Sequence, residues 1–283
     1  MSKRKTVLPI HMKKTIERVE ELATTVDLVM EVVDARAPHS SRCPILTRIL
    51  AGSHHVKILS KTDLADPAMT KLWKQEFQEQ GNVFADLPYG RRVKSEEFLS
   101  RLHMPFQGET GRMIKALIIG IPNVGKSTLI NLLAGKHRAH TGARPGITRG
   151  LQLITLGKGV FLYDSPGVIN PVIRDEEQGH ILGLIGCLQE NLFDAETAVL
   201  YLATRIIDGG YLELFGKTYE LKVEGVREPL ELLELVARRR GCMRPGGTPD
   251  ISRACNILLR DFSTGRLRGL TLETPVSVSG LEP

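Results

Sequence analysis

The sequence predicts an α/β protein in which a mostly parallel sheet is flanked by helices and followed by a C-terminal α-helical region. Apolar runs typical of buried parallel strands occur at residues 26–33, 55–59 and 116–119, and amphipathic helical patterns alternate with them. The third run leads directly into residues 120–127, which fit the pattern GxxxxGK[ST] and precede a helical segment. Beyond Pro171 the pattern is helical.

Length and composition are those of an ordinary globular protein with room for one large domain or two modest ones. Of the 283 residues, 42% are hydrophobic and 25% are charged, which excludes disorder and a fibrous structure. We expect a domain at residues 1–172, including an N-terminal helix, and a helical domain at 173–283. No apolar run approaches the roughly 20 residues that span a bilayer, so the expected compartment is the cytoplasm, without membrane contact. The four cysteines form no CxxC pair, so we expect reduced thiols.

The positive charge is concentrated near the C-terminus. The net charge is +6, and residues 236–268 alone hold eight arginines against two aspartates. Arginines at the end of a helix can also simply stabilise its dipole, and that interpretation stays open. We favour binding to the backbone of folded RNA, because few aromatic residues accompany the arginines. The candidate RNA-binding residues are Arg238, Arg239, Arg240, Arg244 and Arg253.

The pattern at residues 120–127 is typical of a loop that wraps the phosphates of a nucleoside triphosphate. Its glycines allow close approach of the backbone to phosphate, and Lys126 is expected to reach the β- and γ-phosphates. The Ser127 hydroxyl is expected to bind Mg²⁺. The nucleotide-binding candidates here are Asn123, Val124, Gly125, Lys126, Ser127 and Thr128.

A second motif follows the strand at 55–59. Ser60, Lys61 and Asp63 approximate the pattern [N/T]KxD, in which the aspartate accepts hydrogen bonds from guanine and the lysine stem lies along the nucleotide. A KxD tripeptide is also a common turn, but its occurrence beside a phosphate loop favours guanine recognition. Serine lacks the paired donor and acceptor of an amide, so we expect weaker anchoring of the base.

The next strand, at residues 82–85, is where a segment backing the base is expected. Only Ala85 fits that role, so this element is degenerate.

Two further segments resemble nucleotide-sensing switches. A basic connection at residues 136–148 ends at Thr148, a candidate Mg²⁺ ligand and catalytic residue. A predicted hairpin strand then ends in Asp164-Ser165-Pro166-Gly167, which is a β-turn or a DxxG motif. Its position after a strand favours DxxG, with Asp164 supporting Mg²⁺ and Gly167 contacting the γ-phosphate.

In this order of motifs, base recognition precedes the phosphate loop, so the chain resembles the circularly permuted GTPases. Within them it resembles the ribosome biogenesis GTPase A (YlqF-type) family. Departures from that family's usual sequence are Ser60 and the segment Pro9-Ile10-His11-Met12. The segments that carry this resemblance are 34–38, 40–42, 60–63, 120–127, 145–148, 164–167, 239–242 and 246–247.

The resemblance implies hydrolysis of GTP to GDP with Mg²⁺, and a C-terminal domain that docks on rRNA. The implied partner is the precursor of the large ribosomal subunit, and we expect a monomer away from it. A nucleotide-gated RNA-binding scaffold with incidental hydrolysis is the alternative. An ATP-using kinase is a weaker one, since Lys61 and Asp63 argue against it.

Val168 follows the DxxG motif where many GTPases have a water-positioning glutamine. The resemblance offers Asn123 as a ligand of K⁺, although it fits a tight turn equally well. His11 matches the family's N-terminal histidine and is a second candidate for positioning water. A lone histidine near a basic terminus is more often solvated or RNA-facing.

Overall fold

The structure is a computed structural model, and within the residues that it describes the chain forms one six-stranded sheet and a set of α-helices. Segments predicted as the switch at 136–148 and as the turn at 165–167 lie outside those residues. The sequence also predicts a helix at residues 96–103, of which only Phe98 and Leu99 are described, and both are buried in helical conformation. The described ranges are 10–43, 54–79, 83–87, 98–99, 112–134, 152–156, 159–164 and 173–275.

The sheet is mostly parallel, as the sequence predicts. Its order is β3-β2-β1-β4-β6-β5. The pairs β1–β4, β2–β3 and β4–β6 are parallel, whereas β5 and β6 form the predicted antiparallel hairpin. The strands are β1 (Leu28–Asp34), β2 (His54–Ser60), β3 (Val83–Leu87), β4 (Ile114–Ile119), β5 (Gln152–Thr155) and β6 (Val160–Asp164).

Burial of the central strands on both faces explains their apolar sequences. Every residue of β1 is buried, and so are all residues of β4 except Lys115. The one polar residue inside β1, Glu31, accepts a hydrogen bond from the backbone N–H of Cys43 at 2.8 Å. Such a pairing limits the cost of burying a carboxylate in the middle of a sheet.

The helices confirm the predicted pattern and add one. Helical segments are predicted at residues 11–25, from residue 67, and at 128–134, 176–188, 195–208, 229–240 and 251–262, and a helix forms at each of them. The short helix α6 is not predicted. The helices are α1 (Ile10–Ala23), α2 (Pro67–Glu79), α3 (Lys126–Ala134), α4 (Glu176–Leu184), α5 (Ala195–Asp208), α6 (Leu212–Tyr219), α7 (Pro229–Arg239) and α8 (Ile251–Ser263).

Three C-terminal helices begin at an aspartate that caps the first turn. In each case a side-chain oxygen accepts the backbone N–H of the residue three positions later, which satisfies a donor that has no partner within the helix. Each such cap stabilises its helix by about 1 kcal/mol. The capping pairs are Asp175 with Gln178, Asp194 with Thr197, and Asp250 with Arg253.

Contacts divide the chain into two compact units. The first contains Met1–Val33, Arg42–Ser60 and Phe77–Pro171, and the second contains Asp34–Ser41, Lys61–Glu76 and Val172–Pro283. Two short segments of the N-terminal half therefore belong to the unit of the C-terminal helices. The division into domains at residues 172 and 173 stays a prediction. All four cysteines are free and buried, as expected.

Candidate nucleotide-binding site

The phosphate loop of the first unit leaves β4 in a conformation that requires glycine. Gly120 has φ +156°, and a Cβ atom there would lie 2.8 Å from the carbonyl oxygen of Val32. It would also lie 2.9 Å from the Val124 side chain. Gly125 follows with φ +109°, which side chains rarely allow. The backbone of β1 and the loop are thus as close as a glycine permits.

Lys126 is held inside this loop. Its side chain is buried, and Nζ donates hydrogen bonds to the carbonyl oxygens of Gly120 at 2.7 Å and Ile121 at 2.8 Å. Residue 126 is also the first of α3, so the ammonium and the N-terminus of that helix come from one residue. A positive charge and free helix N–H groups together attract phosphate.

Asn123 lies at the tip of the loop, exposed and with φ +62°. Asparagine tolerates this left-handed conformation better than most residues with a side chain. The backbone therefore agrees with the tight-turn interpretation, and the role as a K⁺ ligand stays a prediction.

Ser60 connects the end of β2 to the loop. Its hydroxyl lies 3.0 Å from the carbonyl oxygen of Val33 and 2.5 Å from that of Val124. The side chain is buried. The hydroxyl hydrogen is therefore directed at backbone carbonyls of β1 and of the loop, which makes Ser60 a support for the loop.

Asp164 ends β6, the strand beside β4 on the opposite side from β1. Burial raises the pKa of its carboxyl, and the charge of Lys126 opposes that rise. Ser127 lies exposed in the first turn of α3. A hydroxyl and a carboxylate oxygen are donors that Mg²⁺ prefers, so Ser127 and Asp164 fit a magnesium site. Thr148 and Gly167, the other residues predicted here, lie outside the described part of the chain.

The predicted base-recognition residues Lys61 and Asp63 belong to the second unit. Lys61 directly follows β2 with φ +55°, and its Nζ lies 2.8 Å from Oδ2 of Asp34. Asp63 is half-buried. Asp34 is fully buried, and although its burial opposes ionisation, the cations of Arg36 and Lys61 hold the pKa of its carboxyl well below the usual range.

The positions of two other predicted residues do not test the roles expected of them. Ala85 lies inside β3 opposite Ile58, two residues before that strand ends, and its backing role stays a prediction. His11 lies in the first turn of α1, but its side chain is outside the described part of the structure.

Asp34 and Arg36 lie in the segment 34–38, to which no sequence motif assigns a role. A signal was nevertheless present, because a charged pair directly follows an apolar strand that neighbours the phosphate-loop strand. Polar groups at the carboxyl ends of parallel strands commonly lie near bound ligands.

Known proteins that are similar to this chain are GTPases, in agreement with the geometry of the phosphate loop. Residues 115–206 match the family described as 50S ribosome-binding GTPase. Ribosome biogenesis GTPase A from Bacillus pumilus is 37% identical over 95% of this chain and 98% of its own length. The protein of the same name from Thermotoga maritima is 30% identical over 97% of this chain and 96% of its own length.

Solved structures agree with the sequence relatives. The GDP-bound structure of YlqF from T. maritima matches with a TM-score of 0.67 and 28% identity, covering 92% of this chain and 99% of that one. The GNP-bound structure of YlqF from the same organism has a TM-score of 0.65 and covers 93% of this chain and 98% of its own. One of these two structures is described as GDP-bound and the other as GNP-bound.

Proposed function

Because this chain belongs to the ribosome biogenesis GTPase A family, we propose that it assembles the large ribosomal subunit and binds rRNA through its C-terminal helices in a nucleotide-dependent way. The chain is a GTPase, and its cofactor is a guanine nucleotide. The observation that carries the proposal is the 37% identity to a ribosome biogenesis factor along 95% of the chain.

In the proposed cycle the first unit holds the phosphates of GTP. Gly120 and Gly125 let the loop wrap the phosphates, and Lys126 neutralises charge on the β- and γ-phosphates. Mg²⁺, when bound, would supply further charge neutralisation for the departing phosphoryl group. Ser127, Asp164 and Thr148 are the residues that would hold it.

The guanine base would be read by Lys61 and Asp63. A carboxylate that accepts two hydrogen bonds from guanine rejects adenine, because adenine lacks that pair of donors. Ser60 supports the phosphate loop, because its hydroxyl donates a hydrogen bond to the Val124 carbonyl oxygen.

We further propose that the attacking water is oriented without a glutamine. A K⁺ ion bound at Asn123 is the first candidate, and a GTPase rate that is equal in Na⁺ and K⁺ buffers would exclude it. His11 is the second candidate, and His11→Ala with unchanged stimulated turnover would exclude that residue. Asn123→Ala tests the ion site independently, because it should remove the dependence of the GTPase rate on K⁺.

RNA binding is proposed for the arginine-rich surface of the second unit. Four of the five candidate arginines have acidic neighbours, namely Arg238 with Glu234, Arg239 with Glu220, Arg240 with Asp261, and Arg244 with Asp250. Arg253 is exposed on α8, and Arg260 lies exposed two turns further along the same helix. Between them that helix carries no acidic residue, which favours contact with phosphate.

The proposed partner is the precursor of the large ribosomal subunit, and the proposed compartment is the cytoplasm, where the protein would be monomeric away from the subunit. Among the described residues no helix is both long and apolar enough to cross a membrane.

The deciding experiment measures GTP and ATP hydrolysis side by side, with and without large-subunit precursors. Marked stimulation of GTP hydrolysis alone supports an assembly GTPase. An unchanged rate with precursors that nevertheless bind would indicate the scaffold alternative. Equal use of ATP and GTP would contradict guanine recognition by Lys61 and Asp63.

A further inference from the structure

A buried ion cluster joins the predicted base-recognition lysine to the helices of the second unit. Asp34 and Arg36 have no exposed surface, and the Lys61 side chain is 13% exposed. The Asp34 carboxylate receives Nε of Arg36 at 3.0 Å and Nη2 at 2.8 Å. Its Oδ2 atom also lies 2.8 Å from Nζ of Lys61. One carboxylate therefore connects two cations, and one of them belongs to the nucleotide-recognition motif.

The other side of Arg36 faces the ends of two helices. Nη1 donates to the carbonyl oxygen of Phe262 at 2.5 Å, and Nη2 donates to that of Ile185 at 3.1 Å. Phe262 lies in the last turn of α8, and Ile185 is the C-cap of α4. Carbonyls at helix C-termini lack intrahelical donors and carry partial negative charge, so a buried guanidinium is a fitting partner for them. The guanidinium also lies 5.1 Å from the ring centroid of Phe262.

The carboxylate between the two cations is itself fixed. Its Oδ1 atom accepts the backbone N–H of Arg36 at 3.0 Å, and the backbone N–H of Asp34 donates to the Ser41 hydroxyl at 2.9 Å. A carboxylate with this many fixed partners has little freedom to rotate. The position of Lys61 Nζ is consequently set by the α4 and α8 helix ends, through Arg36 and then Asp34.

The backbone of Lys61 makes this tether important. Its φ of +55° is uncommon for a residue with a long side chain. Such strained conformations persist where the surrounding contacts determine them, and they concentrate at functional sites. Without the carboxylate of Asp34, both the backbone turn and the lysine stem lose their anchor.

We propose that Asp34 and Arg36 are positioning residues for guanine nucleotide binding, Asp34 by fixing Lys61 and Arg36 by fixing Asp34 against the ends of α4 and α8. The inference rests on the proposed role of Lys61 in binding the nucleotide. It adds that nucleotide affinity depends on the C-terminal helices. By thermodynamic reciprocity, bound nucleotide then stabilises the contacts of Arg36 with those helices.

The main test is a double-mutant cycle in the full-length protein, with GDP affinity and the KM for GTP as readouts. Asp34→Asn should weaken GDP binding and raise KM roughly tenfold, because it frees Lys61. The kcat should change less than about twofold, since the groups that contact the γ-phosphate are untouched. In a Lys61→Met background, Asp34→Asn should cause no further loss of affinity, because Asp34 acts through that lysine.

Two other variants separate positioning from folding. Arg36→Lys keeps a cation beside Asp34 but cannot reach all four oxygens, and it should raise KM roughly threefold. If Asp34→Asn does not fold, Arg36→Lys replaces it as the variant in which nucleotide affinity is measured. Glu273→Gln is the matched control, because Glu273 is also buried in the second unit and accepts hydrogen bonds from the backbone N–H groups of His39 and Ser40. It should alter stability without altering KM.

The proposal is overturned if folded Asp34→Asn and Arg36→Lys bind GDP as the wild type does. It is equally overturned if the effects of Asp34→Asn and Lys61→Met on affinity are additive. Nucleotide binding by the wild type tests the proposed function itself, because a wild type that binds neither GDP nor GTP would contradict that function. Wild-type binding combined with additive effects contradicts only the positioning role.

Discussion

The hydroxyl oxygen of Ser60 lies 2.5 Å from the carbonyl oxygen of Val124, so the last residue of β2 supports the phosphate loop that follows β4. The sequence alone predicts only that Ser60 is a weaker substitute for the asparagine or threonine usual at this position of the base-recognition motif. In the structure its hydroxyl is also within 3.0 Å of the Val33 carbonyl. The residue thus joins backbone carbonyls of β1 and of the loop at the carboxyl edge of the sheet.

Replacing Ser60 should therefore affect phosphate binding. Ser60→Ala leaves the buried Val124 carbonyl without that donor, which costs about 1 kcal/mol and should weaken GTP binding roughly fivefold. Ser60→Thr keeps the hydroxyl and should retain affinity. Nucleotide titration of the two variants checks the prediction, and equal affinities for alanine and threonine variants would contradict a supporting role for the hydroxyl.

Gly120→Ala should abolish nucleotide binding. The added Cβ would lie 2.8 Å from the Val32 carbonyl oxygen, which belongs to the backbone of β1 and cannot easily move. We expect a destabilisation of roughly 3 kcal/mol or more, in the range of severe point mutations. Thermal unfolding and GTP titration provide the measurement.

Gly210→Ala is the matched control for that substitution. Gly210 also has positive φ, +74°, but nothing lies within 4 Å of an added Cβ. Its replacement should cost only the backbone strain of about 1 kcal/mol and leave GTP binding intact. Similar losses of GTP binding in the two variants would mean that the close approach to Val32 is unimportant.

The sequence predicts the strands and most helices because burial on both faces, or on one helical stripe, leaves a direct pattern in the residues. The sequence does not predict helix α6, because this helix is short and contains Gly216. A Cβ at Gly216 would lie 3.0 Å from the Leu221 carbonyl oxygen, so the glycine is needed for a close contact after the helix. Nothing in the local sequence of α6 reveals that tertiary requirement.

For the candidate site, motifs predict residues that would contact a ligand, and they miss residues that would hold those side chains in place. Lys126 and Asp164 follow from patterns fixed by phosphate and magnesium chemistry. The contacts of Arg36 with carbonyls 149 and 226 positions away in the chain are fixed only by the packing of the second unit. The packing of the second unit also decides which arginines are paired with acidic side chains, because the acidic neighbours of Arg239 and Arg240 are about 20 positions away in the chain.

Asp164→Asn should impair hydrolysis more than nucleotide binding. The change keeps the shape of the side chain but removes the charge that would support Mg²⁺, and we expect kcat to fall roughly 100-fold. GDP affinity should fall much less. Asp208→Asn, at an exposed position of α5, is the control and should hydrolyse GTP normally. A magnesium titration of kcat for both variants decides the matter, and identical titrations would remove Asp164 from the metal site.

Glu273 should make stability depend on pH. Burial raises the pKa of its carboxyl to about 7 from 4.5, and nearby Glu177 adds to the rise, although backbone N–H groups of His39 and Ser40 oppose it. Between pH 4.5 and pH 7 the carboxyl is therefore protonated in the folded state and ionised in the unfolded state. The contribution of Glu273 is therefore most favourable below pH 4.5 and declines until pH 7.

The measurable quantity is the difference in unfolding free energy between wild type and Glu273→Gln. That difference should fall by on the order of 3 kcal/mol from pH 4.5 to 7 and stay level above it. Glu190→Gln, at an exposed position, should show no such change relative to wild type. A difference that is constant from pH 4.5 to 7, or that rises with pH, would show that the carboxyl ionises at its ordinary value.

Reversing the two arginines on the exposed face of α8 should weaken binding to large-subunit precursors. Arg253 and Arg260 are both exposed, seven residues apart, and the described residues include no acidic side chain within salt-bridge distance of either. If each contacts one phosphate, Arg253→Glu with Arg260→Glu should lower the salt dependence of binding by about two released ions. Affinity should fall at least roughly tenfold at low salt.

The control for this reversal is Lys217→Glu on α6, which changes charge on the same unit at a lysine already paired with Glu213. It should bind precursors nearly as the wild type does. Arg239→Glu with Arg240→Glu is less selective, because Arg240 also holds Asp261 and lies over the Tyr219 ring, so that variant should lose thermal stability as well as affinity. If the α8 variant keeps both the affinity and the salt dependence of the wild type, this face of α8 does not contact RNA.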